Sequence, residues 1–163
     1  MSLLPELIRH VYDSPLATAI RESNNLFPIL QTFHIVGTIL LAGAIAIVDL
    51  TLLGTLFRST APATLTRSLL PLTWLGFGVM LISGGLLFIA QSARIYTNVF
   101  LQLKLGLLAV ALFNVGLFHA TTFRHASRWQ NASDAPASAK AFAAISLVSW
   151  TAVIVTGRFI AYF

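Results

Sequence analysis

Cysteine is absent from the chain, which excludes disulfides, thiolate metal sites, iron–sulfur clusters and cysteine nucleophiles. Charge is scarce as well. Asp, Glu, Lys and Arg make up 9% of the residues, against about a quarter in a soluble domain, too few to keep a surface in water. Methionine occurs only at Met1 and Met80, and with no cysteine or clustered histidine there is no soft donor set for copper(I). No nucleophile–base pair, phosphate loop or zinc motif occurs, so there is no enzyme signature. The net charge of +5 comes without a basic stripe set in polar surface, which argues against nucleic acid. Basic residues in loops are instead what orients a membrane protein.

Hydrophobicity is what the chain has in abundance: 57% of its 163 residues are apolar and the mean hydropathy is +0.85. Four helices of about 20 residues use half the length, leaving short loops and a small N-terminal segment. The expected architecture is an all-α, integral membrane four-helix up-down bundle. Its spans are expected at about 27–50, 71–90, 98–120 and 142–163, after an amphipathic segment over 1–26. That segment has Pro5, Glu6, Arg9 and His10 where a signal peptide would be apolar. It reads as two short helices, the second opening at Ser14-Pro15, with Leu16, Ala19 and Ile20 towards lipid and Arg21 and Glu22 towards water. The first helix is expected to run on past Leu52-Leu53 towards Arg58, and a turn-prone stretch from Ser59 to Thr66 should precede the second. Gly76, Gly78, Gly84 and Gly85 mark span two as a close-packing helix. The Lys/Arg count puts Arg58, Arg67, Arg124, Arg128 and Lys140 on one side and Arg9, Arg21 and Arg94 on the other. In a bacterial inner membrane this places both termini in the periplasm.

An ionisable residue inside a span is costly and is by default a functional candidate. His34, Lys104 and Arg158 fall at similar depth near the outer ends of spans one, three and four, with Arg94 and Gln31 nearby. No span carboxylate accompanies them. Long basic chains can snorkel to the headgroups without a partner, the simpler reading for Arg94. The alternative is a cation layer that holds an anion: cofactor propionates, a lipid phosphate or a quinone oxygen. A second, inner layer holds Asp49, Asn114 and His119, either as a buried polar pair or already in the interface. His34 and Asp49, fifteen residues apart, share a helix face. The four-helix setting suggests haem b with His34 as an iron ligand. His34 and His119 differ too much in depth to serve one iron, which leaves His10 as the other histidine to consider.

The whole chain resembles a group of uncharacterised bacterial four-span inner-membrane proteins. The resemblance lies in Ser14-Pro15-Leu16, Ile20-Arg21-Glu22-Ser23, His34-Ile35, Asp49-Leu50-Thr51-Leu52-Leu53-Gly54, Lys104-Leu105, Phe118-His119 and Gly157-Arg158. Spans two to four are more distantly similar to copper-resistance D-type membrane proteins, through Ser83-Gly84-Gly85-Leu86-Leu87, Tyr96, Lys104-Leu105 and Asn114. The pairing of His34 with Lys104 is similar to the HemJ-type four-span oxidase of the haem pathway, which carries haem b. Ala46-Ile47-Val48-Asp49 stands where that oxidase has Tyr-Leu-Pro-Arg, so the resemblance implies a haem site rather than the oxidase activity. The expectation is a haem b-binding or quinone-facing electron-transfer component, its partners a quinone or a periplasmic redox protein. The alternatives are a non-catalytic subunit of a larger membrane complex and a copper-handling transporter.

Overall fold

The computed structural model describes residues 3–129 and 135–162, and among these all regular structure is helical. Two short helices, α1 (Leu3–Tyr12) and α2 (Pro15–Glu22), precede α3 (Leu26–Leu52), α4 (Pro62–Ile95), α5 (Val99–Leu117) and α6 (Ala137–Phe159). The last four are long and apolar enough to cross a bilayer, α5 together with the turns that prolong it to Ala126. The chain is a polytopic, all-α membrane protein.

Local chemistry sets the helix ends. Ser14 caps α2, its Oγ accepting from the Ala17 N–H, with Pro15 at the first helical position. Asn98 caps α5 by accepting from Phe100 and Leu101. α3 stops at Leu52 instead of running towards Arg58, because Gly54 (φ 76°) and Phe57 (φ 42°) turn the chain through left-handed conformations. α4 starts nine residues earlier than expected and carries Pro71 inside it. The hydroxyls of Thr66, Ser68 and Thr73 each donate to the carbonyl four residues back, so the turn-prone stretch satisfies its polar groups within the helix. Arg67 and Arg94 then lie 27 residues apart on α4, about 40 Å, close to the thickness of a bilayer with its headgroups.

α3 and α4 pack most closely. A Cβ on Gly76 would lie 2.5 Å from the Leu41 nitrogen, and one on Gly37 2.8 Å from the Met80 nitrogen. α3 also packs on α6, and α6 on α5, whereas α4 and α5 make no extensive contact despite the three-residue link between them. The bundle is therefore loosest along its α4–α5 side, where α4 packs instead on the 3-10 turn over 123–128 that follows α5.

At the far end from the termini, α5 continues as a π-helical turn (Phe118–Thr122) and a 3-10 turn (Phe123–Arg128). The stretch between the spans expected at 98–120 and 142–163 thus begins in helical turns. Leu52, Phe118, Ala126, Trp129, Ala135, Ala139 and Ala143 form a core that closes this end. The Arg128 side chain and residues 130–134 of that stretch lie outside the described residues.

The N-terminal pair departs in part from the expected orientation: Leu16 and Ala19 are exposed, but Ile20, together with Ala17, is buried against the bundle rather than turned to lipid. Arg21 is half-buried: Nη1 donates to the carbonyls of Tyr12 (3.1 Å) and Ala90 (3.4 Å), and its guanidinium lies 3.9 Å from the Tyr12 ring centroid. One arginine thus ties the α1–α2 corner to the end of α4.

Candidate functional site: a carboxyl-lined cavity

Asp49 lies one turn before the end of α3 and is only 6% exposed. It lines a cavity of about 110 Å³ whose walls come from all four long helices and the π turn. α4 brings Thr66, Leu69, Leu70 and Thr73, α5 and the π turn Asn114, Val115, Phe118 and His119, and α6 Phe142, Ala143 and Ser146. The remaining wall is aliphatic, from Ala44, Ile45, Val48 and Leu52 of α3. The core around Trp129 closes the cavity from below, and the loose α4–α5 seam flanks it.

The polar groups here are incompletely satisfied. The Ser146 hydroxyl faces the Asp49 carboxyl at the limit of hydrogen bonding; among the described residues no other group pairs with it or with Asp49 Oδ2, and the neighbouring Trp150 Nε1 also lacks an acceptor. Most buried polar atoms in folded proteins are paired, and an unpaired buried carboxylate costs several kcal/mol. Asn114 is engaged, its Nδ2 donating to the Phe142 carbonyl at 3.1 Å. The Thr66 and Thr73 hydroxyls donate to their own helix. His119 shares the cavity but packs against Phe118 and Phe123, with ring centroids 5.5 and 4.9 Å away. Asp49, Asn114 and His119 therefore meet around one space, with no Asp–His ion pair among them.

The outer basic layer does not assemble as a unit. Arg94, Arg158 and Gln31 are exposed, and Arg158 turns along its own helix, Nη2 donating to Tyr162 Oη at 2.6 Å. Lys104 and His34 do come together. The Lys104 chain lies against Gly157, its Nζ 3.1 Å from where a Cβ would stand, and the ammonium is within electrostatic range of the His34 imidazole. No carboxylate among the described residues acts on Lys104.

His34 Nδ1 sits 3.2 Å from the Met80 carbonyl and 3.1 Å from Ser83 Oγ. A carbonyl only accepts, so Nδ1 carries the proton and Nε2 is bare. A bare Nε2 opposite a tethered Nδ1 suits a metal-binding histidine. The ring is wedged against Gly84, 2.9 Å from where its Cβ would be, and α3 and α4 are in backbone contact one turn deeper. His10, the other candidate ligand, is on the exposed face of α1.

Sequence reasoning named Asp49, Asn114 and His119 but missed Ser146, Phe118 and Phe142, which complete the cavity, and Ser83, which holds His34. Ser146, Ser149 and Thr156, buried along one stripe of α6, were the available signal. No family model matches the chain, and no curated protein or solved structure matches it.

Proposed function

We propose that this polytopic membrane protein binds and releases a cation, the proton included, at Asp49. The observation that carries this is a 6%-exposed carboxyl with no partner beyond Ser146 among the described residues, facing a cavity bounded by all four spans. Buried ionisable groups in membrane helices mark ion paths and proton relays. Partly apolar walls and a single carboxylate suit a monovalent ion better than a divalent metal, which wants six or more oxygens. The setting we assign is a bacterial inner membrane with both termini periplasmic, following the bias of loop arginines and lysines.

Infrared difference spectroscopy of the full chain in nanodiscs tests this directly. With five side-chain carboxylates, the background is small. The expected result is a protonated-carboxyl band that bleaches as pH rises and is missing from Asp49→Asn. Identical pH difference spectra for the two proteins would sink the reading.

A second reading rests on a different observation, the Lys104 ammonium beside His34 with no carboxylate acting on it. The Lys104 ammonium, a donor inside the lipid layer, suits a quinone oxygen or an anionic headgroup, as a quinone-facing electron-transfer component or an electron-transfer subunit would require. Quinone that copurifies with the wild type and is lost from Lys104→Met supports it; equal quinone in both excludes it.

A further inference from the structure

The Asp49 cavity also carries information about the size and polarity of its occupant. Its volume of about 110 Å³ holds several waters. It falls short of the roughly 150 Å³ that admits benzene, which favours a small organic guest. Asp49 and Ser146 have no partner beyond one another among the described residues, whereas Thr66, Thr73 and Asn114 on the other walls are already hydrogen-bonded and the rest of the lining, His119 apart, is aliphatic or aromatic. Phe118 and Phe142 line the space, with centroids 5.9 Å apart and planes inclined at 60°. A carboxylate and aromatic rings lining one desolvated space favour a compact cation with an apolar skin, because the ring quadrupole attracts positive charge without demanding hydrogen bonds. A hydrated metal ion would lose too many water contacts here, and a neutral guest would leave the carboxylate unpaired.

We propose that the Asp49 cavity binds a small alkylammonium ion, its charge against Asp49 and Ser146 and its methyl or methylene groups against Phe118 and Phe142. This deepens, and rests on, the reading of Asp49 as a cation site. The loose α4–α5 seam beside the cavity gives such an ion, partly soluble in lipid, a lateral way in.

The test uses the full-length protein in detergent with tetramethylammonium chloride as probe, sodium chloride as ionic control and tert-butanol as the neutral counterpart of similar size. Tetramethylammonium should raise the melting temperature saturably, and the two controls should not. Asp49→Asn should abolish the shift. Phe142→Leu, which keeps the carboxyl and a bulky apolar wall, should weaken the apparent affinity about two- to fivefold. An equal shift with tert-butanol, no shift in the wild type, or unchanged affinity in both variants would overturn the proposal. If tetramethylammonium has no effect while the Asp49 infrared band still titrates, the ammonium proposal falls and the cation-site reading stands. If that band is absent too, both fall.

Discussion

Glycines that look alike in the sequence do different work at the residue scale. Gly76 and Gly78 sit two apart in α4, yet a Cβ on Gly76 would strike the α3 backbone, whereas one on Gly78 meets nothing within 4 Å. The run of glycines in span two announced close packing, but which glycine packs depends on rotation about the helix, and that is fixed only by the partner. Gly76→Ala should therefore force α3 and α4 apart and destabilise the protein by about 1–3 kcal/mol, the usual cost of overpacking. Gly78→Ala should melt at the wild-type temperature or above. Thermal unfolding followed by circular dichroism in detergent separates the two, and equal losses would contradict the packing described. Asp49 was legible in the sequence because a lone carboxylate in an apolar run is conspicuous. Ser146 was not, since a serine in a membrane helix usually signals nothing beyond close packing.

For whole elements, the four long helices were readable from hydropathy, but their ends were not. Hydroxyls that look like turn signals are absorbed into α4 by bonding back to their own helix, so composition alone misplaced its start. The N-terminal pair was misread in part for a related reason. Periodicity shows that α2 has an apolar face, but not whether lipid or protein covers it; Leu16 and Ala19 are exposed, whereas Ile20, with Ala17, faces the bundle. Arg21, which sequence reading turned to water, bridges Tyr12 and Ala90 instead. Its removal should release the α1–α2 corner without melting the spans. Arg21→Ala should raise amide hydrogen exchange across 3–22 at least severalfold and leave exchange within α3 and α6 unchanged. Protection retained over 3–22 would show that Ala17 and Ile20 alone hold the pair in place.

For the molecule as a whole, two polar centres stand near opposite ends of the bundle. His34 and Asp49 are fifteen residues apart along α3, about 22 Å. Leu41, Ala111, Trp150 and Val153 fill the interior between them, backed by Ile45, Phe77 and Met80. This separation was legible as two layers in the sequence, whereas the side on which the bundle is loosest was not. Neighbours in sequence usually pack together, yet here α4 and α5 barely touch, and only the tertiary arrangement reveals it. The Trp129 core lies at the near end of the cavity and the apolar interior at the far one, so the lateral route proposed for the ion runs along the α4–α5 side. The absence of cysteine makes this testable with single substitutions in an otherwise unreactive chain. Ser146→Cys should react with methyl methanethiosulfonate, which partitions into lipid, and resist a charged, membrane-impermeant maleimide applied from either side of a proteoliposome. Val153→Cys, within the apolar interior, should resist both reagents. Rapid labelling of Ser146→Cys by the impermeant maleimide would place the mouth of the cavity in water and refute the lateral route. Labelling of Val153→Cys would mean that the two polar centres are joined through the bundle rather than sealed from one another.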